Sequence, residues 1–85
     1  MTKKAVQKLI DQLSRRFQAQ VEAEQVSPGR FRINMVSPQF AGVTPLKRQD
    51  KVWDVLDQLL DRESTLDISI VLAFSPDEVE VVPNA

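Results

Sequence analysis

The chain has 85 residues, a formal net charge of −1 and 42% hydrophobic residues, with no cysteine, histidine or tyrosine. That length suits one domain, and its core must come from Val, Leu, Ile and Phe without a disulfide or a Cys/His zinc site. The same absences exclude a Cys nucleophile, Ser–His and Cys–His pairs, and imidazole or thiolate ligands for zinc, haem or an iron–sulfur cluster, leaving carboxylates suited to magnesium or calcium.

Val6, Leu9, Ile10, Leu13 and Phe17 recur at helical spacing and predict an amphipathic helix over 3–18 with Thr2 as N-cap. Its outer face carries Lys4, Lys8, Asp11 and Arg15 and is mostly basic. Residues 20–26 alternate weakly, with Val21 and Ala23 on one side and Glu22 and Glu24 on the other. Val26 falls out of phase, which marks either a bulge or the strand end. Ser27-Pro28-Gly29 is a turn signal. Residues 30–36 alternate cleanly, Phe31, Ile33 and Met35 inward and Arg30, Arg32 and Asn34 outward, so the two segments read as a β-hairpin.

Residues 37–44 form a loop punctuated by Pro38 and Gly42. Thr44 and Pro45 open a second helix, expected to run to about Arg62 and to end in Glu63-Ser64-Thr65. Its apolar stripe is Val52, Val55, Leu56, Leu59 and Leu60; Asp50, Asp54, Asp57 and Asp61 lie opposite, beside Lys47 and Lys51. Residues 66–74 are the strongest strand, and their near-continuous apolar run suggests more burial than the hairpin's outer strand. Ser75-Pro76-Asp77-Glu78 is a turn or the start of a helical turn, and the acidic tail, 79–85, reads as frayed.

This order implies an α+β fold, an α-β-β-α-β sandwich with a three-stranded mixed sheet and the helices on one face. The hairpin pairs antiparallel; a right-handed crossover makes the last two strands parallel. One domain is expected over 1–85, its ordered core at about 3–80, with the element order of the type II K-homology (KH) topology. The run Ile33–Leu46 carries no charge but contains Pro38 and Pro45 and is too short to span a bilayer. With no targeting signal visible, the expectation is a soluble cytoplasmic protein with no membrane contact, as monomer or weak dimer.

The stretch Phe31-Arg-Ile-Asn-Met-Val-Ser-Pro-Gln-Phe-Ala-Gly42, then Leu46-Lys-Arg48, Val52-Trp53, Leu56, Leu59-Leu60 and Ile68-Ser69-Ile70, resembles the BolA family over roughly residues 6–80. The run Val36–Gly42 is its most specific part, and Pro76 and Glu78 echo the family's closing turn. The resemblance implies a type II KH-like fold, partnership with monothiol glutaredoxins, shared iron–sulfur clusters, and links to transcription, cell shape and stress. Two positions depart from it. The family's Arg-His pair stands here as Arg48-Gln49, and the histidine associated with cluster ligation, at the head of the last strand, aligns with Asp67. A carboxylate suits the soft, thiolate-preferring iron of these clusters poorly, so no cofactor or metal is expected.

The expected function is therefore non-enzymatic: a regulatory or adaptor protein acting through a protein contact. The contact face implied by the resemblance comprises Phe40, Gly42, Thr44, Arg48, Gln49, Trp53 and Asp67. Several of these also have structural readings. Phe40 and Val43 can plug the core, Arg48 can pair with Asp67 or Glu78, and Trp53 can be partial core. Two alternatives stand beside it. One is a nucleic-acid contact through Lys4, Lys8, Arg15 and Arg16, although Gly29 and Gly42 are the only glycines and make no Gly-x-x-Gly loop. The other is a glutaredoxin partner in cluster handling that no longer supplies a ligand. The four aspartates read as a solvated face, not a chelator.

Overall fold

A computed structural model describes residues 1–80 of the chain. The elements are α1 (Lys3–Phe17), β1 (Gln20–Ser27), β2 (Arg30–Val36), a 3-10 turn (Pro38–Phe40), α2 (Pro45–Leu59), α3 (Arg62–Thr65), β3 (Ile68–Phe74) and α4 (Pro76–Glu80). The architecture is the expected α+β one. A three-stranded sheet runs in the order β1-β2-β3, with β1 and β2 antiparallel and β2 and β3 parallel. The predicted tail, 79–85, falls mostly outside the described residues.

α1 begins where Thr2 accepts a hydrogen bond from the Ala5 N–H, and ends where Gln18 turns left-handed at φ 50°. The hairpin that follows closes on Gly29, whose φ of 73° suits a residue without Cβ. The register of β1 against β2 shifts between Gln25 and Ser27, so Val26 is the extra residue of a bulge and not a strand end.

α2 is shorter than its apolar periodicity suggests. Thr44 caps it and Pro45 occupies its first position, as expected, but Leu60 leaves helical geometry. The reason is local: the Asp61 carboxylate accepts from the Ser64 N–H and starts a new helix, α3. Residues 63–65 thus belong to that helix, and Asp61 leaves the aspartate face of α2.

β3 is an edge strand. It is more buried than β1, yet only one side of it, at Ile68 and Val71, reaches the core. The core lies between the sheet and α1 and α2. Leu9, Leu13 and Phe17 of α1 and Val52, Val55 and Leu56 of α2 pack on Ile33, Met35, Ile68 and Val71. The 3-10 turn inserts Phe40 between the layers, 1% exposed, with its ring centroid 5.6 Å from that of Phe17. Ser37 holds the turn in place: its buried hydroxyl donates to the Phe17 C=O and accepts from the Gln39 N–H. Gly42 completes the reversal at φ 74°. The most specific part of the sequence resemblance is thus a core plug and its hinge.

Phe40→Ala is expected to cost ~3–5 kcal/mol, the range for truncating a buried ring. A shift in urea midpoint at unchanged m-value would report it; a loss below ~1 kcal/mol would contradict the placement of this ring in the core.

Candidate functional site

The residues singled out at the start of α2 converge on β3. Arg48 is 6% exposed. Its Nε–H donates to the Val43 C=O at 2.8 Å, and its Nη1 donates to the Ala73 C=O at 3.1 Å and to the Glu78 carboxylate at 2.6 Å. Arg48 therefore pairs with Glu78, not with Asp67. Glu78 also accepts from the Ser75 N–H at 2.7 Å, which locks α4 onto the end of β3. Together the Arg48 guanidinium and the Ser75 amide hold the Glu78 carboxyl down at about 2, well below its ordinary 4.5.

Gln49 extends the same pattern. Its Nε2 donates to the Val71 C=O at 2.7 Å, and its Oε1 accepts from the half-buried indole N–H of Trp53 at 3.2 Å. The Phe74 C=O is bonded inward, to the Ser37 N–H. Strand alternation then turns the Val71 and Ala73 carbonyls outward, and these are the two that Gln49 and Arg48 occupy. The outer edge of β3 is capped by side chains of α2.

Asp67 stands apart from this cluster. It precedes β3, and six strand steps of about 3.3 Å put it ~20 Å from Ala73. Its carboxylate accepts from the Met1 amine at 2.8 Å. The contact face implied by the resemblance is therefore split between opposite ends of β3. Phe40 offers no contact surface, being core. Thr44 is a helix cap, its Oγ1 accepting from the Lys47 N–H, and Gly42 is an exposed turn residue. Trp53 is half-buried beside Gln49, and Thr44 is exposed at the head of α2.

A different surface is conspicuous. The helices cover one face of the sheet, and no described element covers the other. Register places Arg32 beside Ile70, Asn34 beside Leu72 and Val36 beside Phe74, with Glu24, Glu22 and Gln20 as their β1 partners. The β3 column of this open face is hydrocarbon: Ile70 is 45% exposed and Phe74 39%. Beyond the Val36 end lies a concavity of ≈ 620 Å³ whose apolar walls include Val36, Pro38, Pro76 and Val79. The signal for this surface was in the sequence. Ile70, Leu72 and Phe74 share one parity, but a run apolar on both sides of the strand hides it.

Lys4, Lys8, Arg15 and Arg16 are exposed on α1, and none forms a salt bridge among the described residues. Asp50, Asp54, Asp57 and Asp61 are also exposed, and no group of three ligating side chains that could hold a metal occurs among the described residues. No described helix is long and apolar enough to cross a membrane. A scan against protein-family models finds no match, and searches of curated proteins and of solved structures find none either.

The Glu78 shift fixes the sign of an acid effect. Its folded pKa lies below the unfolded value, so its stabilisation is complete above the ordinary carboxylate range and is lost as pH falls toward 2. Between roughly pH 5 and pH 2 the melting temperature of the wild type should fall more steeply than that of Glu78→Gln. Parallel curves would contradict the ion pair.

Proposed function

We propose that the protein is a non-catalytic adaptor, BolA-like in fold, that acts by contact with a protein partner through its open sheet face. The carrying observation is the apolar column Ile70, Leu72 and Phe74, exposed at Ile70 and Phe74 and half-buried at Leu72, which runs beside Arg32, Asn34 and Val36 on the side of the sheet away from the helices. Exposed hydrocarbon that lines up along one face of a sheet is one mark of an interaction surface.

The element order α-β-β-α-β and the continuous run Val36–Gly42 support the BolA-like reading. The chemistry of the residues argues against a cluster held by this chain. At the two positions where the family carries histidines, Gln49 caps a strand carbonyl and Asp67 binds an amine. Neither is a soft donor. With Arg48, Gln49 and Trp53 bonded internally, the contact belongs on the open face and not at the start of α2. A glutaredoxin-type partner is compatible with that surface, as a protein contact without a shared metal.

A second reading rests on α1, whose exposed cations suit a polyanion such as nucleic acid. One experiment separates the two. A photo-crosslinking residue replaces Ile70 in one variant and Lys8 in another, in cells of the source organism. A protein adduct at position 70, absent at position 8, is expected. Adducts to nucleic acid at position 8, with none at position 70, would overturn the open-face reading and favour the second.

A further inference from the structure

We infer that the open face receives an amphipathic helix of a partner protein, with its apolar side over β3 and a cationic flank over β1. This rests on the open-face reading above and specifies the partner's chemistry.

Three strands about 4.8 Å apart span ~10 Å, the diameter of one helix. The seven residues of β3 run for ~23 Å, which a helix of about 15 residues matches. One helix laid along the strands would cover all three columns and supply the layer that the sheet lacks on this side.

Charge then selects the flank. The β1 column is Gln20, Glu22 and Glu24. Arg32 is bonded to Glu24, whereas Glu22 forms no salt bridge among the described residues. Arg30 and Arg32 sit toward the hairpin end, so the uncompensated carboxylate lies midway along β1, across the sheet from Leu72. A helix with leucine-like side chains on β3 and Lys or Arg facing Glu22 meets both columns.

Other occupants fit less well. A strand adding to β3 would need the Val71 and Ala73 carbonyls, which Gln49 and Arg48 hold. A second copy of the chain that overlaps the whole open face can stack on it in two symmetric ways, along or across the strands. A two-fold along the strands sets each hydrocarbon column over the other copy's carboxylates. A two-fold across the strands sets hydrocarbon on hydrocarbon but Glu22 against Glu22. Each arrangement leaves a carboxylate desolvated without a cation.

Two synthetic 15-residue helical peptides test this. They share one leucine stripe and differ only in the adjacent flank, Lys in one and Glu in the other. Titration into the full chain, followed by amide chemical shifts, should show the Lys peptide binding at least about tenfold more tightly, with shifts on β1 to β3. Glu22→Lys should reverse that preference, and Ile70→Thr should weaken both peptides at an unchanged melting temperature. Equal affinities, no binding of either peptide, shifts confined to α1, or indifference to Glu22→Lys would each overturn the inference. If the photo-crosslink at position 70 persists in that event, the open-face reading stands and only the helical partner is lost.

Discussion

Arg48 carries a guanidinium into the protein at 6% exposure, and a buried charge is tolerated only where it is paired and hydrogen-bonded. Its partners come from three separate segments: Val43 in the loop before α2, Ala73 at the end of β3, and Glu78 in α4. A lysine could not reproduce this, because one ammonium lacks the planar fork that reaches two backbone carbonyls and a carboxylate together. That fork fixes the start of α2 against the end of β3, while Val52, Val55 and Leu56 pack the rest of the helix on the core. The seat of α4 also follows from the fork, through the bond from the Ser75 amide to Glu78.

The same interaction decides which surfaces the molecule can use. An edge strand with hydrocarbon side chains is a template for unwanted strand pairing. Here the outward carbonyls of β3 are occupied from α2, so the edge is blunted while its solvent-facing side chains stay accessible. The result separates two properties that usually travel together. β3 can offer Ile70 and Phe74 to a partner lying on the sheet without offering its backbone to another strand. Arg48 and Gln49, the positions at which a family resemblance suggests a site, are spent here on the strand edge.

Much of the fold could be read from residues alone. The spacing of Leu9, Leu13 and Phe17, the strict alternation of β2, and Thr44-Pro45 at the head of α2 are local signals, and local physics decides them. What the residues alone left open has non-local or competing causes. Asp61 fits the polar face of a long helix equally well as the cap of a new one, and the Ser64 amide settles the choice. The apolar run of β3 does not tell a strand with two covered faces from an edge strand with one exposed column. Arg48 had two acidic candidates, and the distance along β3 excludes Asp67. Phe40, in a loop with no periodicity, is core because the 3-10 turn aims it at Phe17.

The central claim is that the buried Arg48 guanidinium ties the loop, β3 and α4 together. Its Nε–H is directly observable by proton–nitrogen NMR in the native chain. Bonded to the Val43 carbonyl and shielded from water, it should exchange with solvent orders of magnitude more slowly than the Nε–H groups of exposed Arg15 and Arg30. An Arg48 Nε–H that exchanges as fast as those two would contradict the buried network and, with it, the closure of the β3 edge.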